Sequence, residues 1–108
     1  MKIYEVIFTD RRDPDGDKDA IFLVRAEDFR SAVAEVFQNG GRRDHCSSLP
    51  HSVFEIGEEL RVNFNHPDRR ILRGPYFERA FNFGFREWQR RDSKSDAKYE
   101  WDEVTNET

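Results

Sequence analysis

The chain has 108 residues, is 36% hydrophobic and 37% charged, and carries a formal net charge of −4. That length suits one domain, and ten phenylalanines exclude a disordered chain, which would be poor in aromatics. The single cysteine, Cys46, excludes an internal disulfide. No run reaches the roughly 18 apolar residues that span a bilayer, and the opening MKIYEVIFTD has no apolar signal-peptide stretch. The expectation is a soluble, cytoplasmic α+β domain over residues 1–91, then an acidic, mobile tail over 92–108.

Residues 2–9 place Tyr4, Val6 and Phe8 on one face and Ile3 and Ile7 on the other, and residues 20–26 (AIFLVRA) have the same character. Both predict strands apolar on two faces. Pro14-Asp15-Gly16 between them predicts a hairpin with a long acidic tip. Asp28 is then a helix N-cap, with Phe29, Ala32, Val33, Val36 and Phe37 recurring at helical spacing until Asn39-Gly40-Gly41 stops the helix.

Beyond a loop over 42–51, Val53, Phe54 and Ile56 predict a short strand and Gly57-Glu58-Glu59 a turn. Leu60, Val62 and Phe64 alternate with polar residues as a half-buried strand, and residues 69–73 return around Ile71 and Leu72. Over 75–91, Phe77, Ala80, Phe81, Gly84, Phe85 and Trp88 fall within a helical arc of about 140°, and Gly74-Pro75 suits a helix start. A second helix is therefore expected there. In the tail, Tyr99 and Trp101 are the only large apolar groups, and an edge strand over 98–104 is the alternative to a mobile segment. The fold expected is an antiparallel sheet of four to five strands with two helices on one face, a two-layer sandwich in the order ββα-βββα.

Charge is unevenly spread. Residues 60–91 hold eight arginines against Asp68, Glu78 and Glu87, a net of +5, whereas residues 92–108 hold two lysines against six acids. Tyr76, Phe77, Phe81, Phe83, Phe85 and Trp88 crowd the same arginine-rich block. On the expected second helix, Arg79, Phe83, Arg86 and Arg90 form a stripe pointing away from the core, with Tyr76 beside it. Aromatic and arginine side chains concentrate at protein–protein hot spots. The expected function is a small non-enzymatic module that binds a protein partner or itself through this stripe. The alternative is single-stranded nucleic acid, with rings stacking on bases and arginines on phosphates. An isoelectric point of about 5.4 argues against that alternative.

Other chemistry finds little support. His45, Cys46 and His51, with His66 further on, are zinc-ligand types, but the paired C-x2-C spacing of zinc sites is missing and no metal is expected. Cys46 with a histidine base is an equally thin catalytic pair. The acidic run Asp13–Asp19 has Lys18 and Val24 where a calcium loop from Asp13 needs glycine and glutamate. Glu5 and Glu55 are the acids set inside apolar stretches. No catalytic residue and no cofactor are expected.

Overall fold

In a computed structural model, which describes residues 2–15, 18–39, 46, 49–58, 70–78, 86–91 and 100–104, the two N-terminal strands pair as their sequence predicts. Strand β1 (Lys2–Thr9) runs antiparallel to β2 (Asp19–Ala26), in register from Lys2↔Ala26 to Thr9↔Asp19. The tip holds itself with its own acids. The Asp13 carboxylate accepts from Asp15 N and Lys18 N, and Asp10 binds Arg12 through both carboxylate oxygens.

Helix α1 (Phe29–Asn39) follows, and Asp28 caps it: its Oδ1 accepts from Ser31 N at 2.8 Å, one of the orphan N–H groups of the first turn. That bond, made to the charged carboxylate, holds the Asp28 pKa below the ordinary carboxylate value. The helix buries Ala32, Val33 and Val36 on Tyr4, Val6, Phe8, Phe22 and Val24 of the sheet. Phe8 meets Phe22 and Phe37 edge-on at 5.9 and 6.2 Å, a preferred aromatic geometry.

Four further strands complete one sheet: β3 (Ser52–Glu58), β4 (Ile71–Tyr76), β5 (Arg86–Arg90) and β6 (Trp101–Val104). The order is β4-β2-β1-β3-β5-β6, with every neighbouring pair antiparallel. The architecture is a sheet-dominated α+β fold, six strands with a single described helix on one face.

This corrects the expected ββα-βββα sandwich of four to five strands and two helices. The predicted second helix over 75–91 is strand at both described ends. Pro75, read as the first helical residue, lies inside β4 behind a cis Gly74–Pro75 bond, and Gly74 adopts φ 140°. A Cβ on Gly74 would stand 2.6 Å from Phe22 Cδ1 and 2.9 Å from the Ile21 carbonyl oxygen, so this edge packs against β2 through a glycine that no other residue replaces freely. At the other end, Trp88 lies opposite Val53 on β3 and stacks on Phe29 at 4.4 Å with 15° between ring planes. Pairing with distant strands overrides the local helical period there, because REWQR has only one apolar residue to bury.

Residues 79–85 and the predicted strand over 60–64 lie outside the described residues. Within the stretch expected as a tail, Trp101–Val104 pair with β5, from Glu87↔Val104 to Arg90↔Trp101. No helix among the described residues is long and apolar enough to cross a membrane.

Candidate functional site

Pairing across the sheet sorts the candidate residues by face. Trp88 belongs to the helix side, so Arg86 and Arg90, two residues either way, share that side. So do Trp101 and Glu103 of β6, which stand opposite Arg90 and Trp88. Here the strands meet the N-terminal turn of α1. Phe29 stacks on Trp88 and meets Trp101 edge-on at 5.9 Å, while Tyr4 tilts against Trp88 at 6.2 Å. Trp88 is the buried hub of this cluster and Trp101 its half-buried rim.

Cations and acids surround the rings. The Arg86 guanidinium lies 4.8 Å from the centre of the Trp88 ring and grips Glu103 through Nε and Nη2 at 2.6 and 3.1 Å. Lys2 Nζ lies 3.2 Å from Oε1 of the buried Glu55. Burial first, and the Glu55 and Asp28 charges next, push the Tyr4 hydroxyl up to about 12. Between α1 and β6 runs a groove of about 180 Å³ lined by Arg30, Val33, Ala34, Phe37 and Trp101. Arg30 rests 5.2 Å over the Phe29 ring, and its charge contributes to holding the Asp28 pKa down.

The predicted stripe of Tyr76, Arg79, Phe83, Arg86 and Arg90 does not assemble on a helix. Arg86 and Arg90 lie on β5, and Arg90 donates through Nε to the Pro50 carbonyl at 3.2 Å. Tyr76 lies on β4, four strand positions away, roughly 19 Å at the usual spacing. It is buried on the opposite face of the sheet, where its hydroxyl donates to Glu5 Oε2 at 2.9 Å. Arg79 and Phe83 lie outside the described residues.

That opposite face buries Glu5, Arg25 and Ser52 within the sheet. Glu5 is fully buried beside the Ile7–Ile21–Tyr76 cluster, with Leu23 and Phe54 packed on it. His51 bridges Asp19 Oδ1 at 3.0 Å and Ser52 Oγ at 2.8 Å through its two ring nitrogens. The sequence showed His51 as a metal-ligand type, yet among the described residues no group of three His, Cys, Asp or Glu could hold a metal ion. Cys46 is buried and forms a β-bridge with Asp10, while His45 and His66 lie outside the described residues. Sequence reasoning missed the Asp19–His51–Ser52 chain because strand register joins residues 32 apart; the one signal was His51-Ser52 standing directly before a β-rich run.

Comparison with protein-family models, with curated proteins and with solved structures found no match for the chain.

Proposed function

We propose that the chain is a small protein-interaction module that seats an apolar side chain of a partner protein in the groove between α1 and β6, with a partner carboxylate against Arg30. The observation that carries this reading is the groove itself: Val33, Ala34, Phe37 and Trp101 offer an apolar floor and wall, and Arg30 stands at their side. An aromatic residue and an arginine framing one apolar recess is the composition of an interface hot spot. Arg30, in the groove wall, supplies the charge complement, whereas Arg86 is taken up by Glu103 and Arg91 by Glu100 and Asp102.

The same pairing favours a protein partner over single-stranded nucleic acid. Of the arginines in the 60–91 block, Arg70 faces Glu35 at 3.7 Å, Arg73 lies over the Tyr76 ring, and Arg86 and Arg91 are neutralised by carboxylates. Carboxylates thus take up Arg70, Arg86 and Arg91, which leaves less positive charge on the described part of that block to release counterions from phosphates.

Selection of a displayed random-peptide library on the full chain tests this. The expected consensus places an aromatic or aliphatic residue within a few positions of Asp or Glu. Its affinity should fall about tenfold or more in Arg30→Glu and in Trp101→Ala, the equivalent of one lost charge-assisted contact. Selected peptides that bind both variants as tightly as the parent chain would overturn the reading. So would a homodimer in sedimentation that Arg30→Glu dissociates, since the groove would then be filled by a second copy.

A further inference from the structure

At one end of the sheet, on the face away from α1, Asp19, His51 and Ser52 form a continuous hydrogen-bonded chain. His51 Nε2 lies 3.0 Å from Asp19 Oδ1, and His51 Nδ1 lies 2.8 Å from Ser52 Oγ. A carboxylate only accepts, so Nε2 carries the ring proton; in the neutral imidazole Nδ1 is then left to accept from the Ser52 hydroxyl. This is the order of roles in a nucleophile, a base and the group that orients the base.

The backbone holds the imidazole in place. His51 N donates to the Ile7 carbonyl at 2.8 Å, and the His51 carbonyl accepts from Arg90 N at 3.0 Å, so the residue is tied to β1 and β5 together. Asp19 opens β2 opposite Thr9, and Ser52 opens β3 between Ile7 and Gln89. Directly opposed residues have Cβ atoms about 4.5–5.5 Å apart. The Gln89 amide now donates to Glu87 Oε2 at 2.7 Å, and a side-chain rotation from the position opposite Ser52 would bring it to an oxygen developing charge there.

Access comes past the ring. The side chains of His51 and Asp19 are 41% and 38% exposed, whereas Ser52 is 7% exposed and has Ile7 for a neighbour. A serine only 7% exposed suits a small acyl group rather than a bulky one.

We infer that this chain is an acyl-transfer site for small carboxylic esters, with Ser52 the nucleophile, His51 the general base, Gln89 the oxyanion donor and Asp19 a positioning residue. Ser52 Oγ bonds to the ester carbonyl carbon as its proton passes to His51 Nδ1, and the carbonyl π pair moves onto oxygen beside the Gln89 amide. Collapse of that intermediate breaks the C–O bond, and the departing alkoxide takes the proton from His51 and leaves as an alcohol. Water, giving a proton to His51, then attacks the acyl-serine; Ser52 leaves and recovers that proton. The sum is ester plus water to acid plus alcohol.

The test is hydrolysis of p-nitrophenyl acetate by the full chain, together with labelling by an alkyl fluorophosphonate mapped by mass spectrometry. The expected result is a single adduct on Ser52 and turnover that falls about 100-fold or more in Ser52→Ala. Gln89→Ala should lower kcat about 100-fold. Asp19→Asn should lower kcat with KM unchanged, which a merely structural contact would not do. Asp19 is exposed enough that this variant decides the matter if Ser52→Ala does not fold. A rate no greater than that of free imidazole at equal concentration, or an adduct that persists in Ser52→Ala, would overturn the inference.

Discussion

The two faces of one sheet do different work. Toward α1, the central strands present Tyr4, Val6, Phe8, Ala20, Phe22 and Val24, and the helix closes over them with alanine and valine. Away from α1, the same strands interleave Ile3, Ile7 and Ile21 with Glu5, Arg25 and Ser52, all buried. Burying apolar area is favourable wherever it happens. A buried carboxylate is tolerated only with partners, such as the Tyr76 hydroxyl that Glu5 has. The difference teaches that apolar burial is concentrated on the helix side, where Glu55 is the buried acid, while the other side buries Glu5, Arg25 and Ser52 among its isoleucines.

The largest expected effect breaks the helix side. Trp88 is 5% exposed and touches Tyr4 and Phe29, so Trp88→Ala should cost about 3–5 kcal/mol in urea unfolding. A loss under about 1 kcal/mol would remove Trp88 from the core. The next effect is seen in alkali. Folding raises the Tyr4 pKa from 10.0 to about 12, so the unfolded phenol ionises first. Its contribution is therefore full below pH 10 and is lost as pH rises to 12, a decline of about 2–3 kcal/mol. In Tyr4→Phe that part of the stability–pH curve should be flat; an unchanged slope would assign it to other groups.

On the opposite face, Tyr76→Phe takes one donor from buried Glu5 and should cost about 1–3 kcal/mol while leaving the apolar packing of the ring in place. A neutral outcome would erase the contrast between the faces. The smallest effect belongs to the cap: Asp28→Ala should cost about 1 kcal/mol at neutral pH. Because folding lowers the Asp28 pKa, that contribution is present above the ordinary carboxylate range and disappears as pH falls below it. Parent and variant melting curves should converge in acid.

How far these features were legible depends on the distance over which they are decided. The β1–β2 hairpin and α1 are local: a turn at Pro14, a cap at Asp28 and an unbroken apolar period suffice. Residues 75–91 are not local. The spacing of Phe77, Phe81, Phe85 and Trp88 suits a helix, yet Tyr76 finds Ile21 and Trp88 finds Val53, contacts that no window of neighbouring residues contains. Of the aromatic–arginine stripe, Tyr76 stands on a different face from Arg86 and Arg90, a separation that strand register decides. Glu5 was visible as an acid in an apolar strand, but its donor lies 71 residues away. The groove beside Arg30 needed β6, which sequence favoured as tail, to supply Trp101.

The most direct test of the interaction site uses its own tryptophan. The chain has two tryptophans, buried Trp88 and half-buried Trp101 at the groove. A selected peptide carrying no tryptophan would be titrated into Trp88→Phe, in which Trp101 is the sole indole, and into Trp101→Phe. The account predicts a saturable blue shift in the first and none in the second, as an apolar side chain displaces water from the Trp101 ring. Binding seen by anisotropy without any change in Trp101 emission would place the partner elsewhere and contradict it.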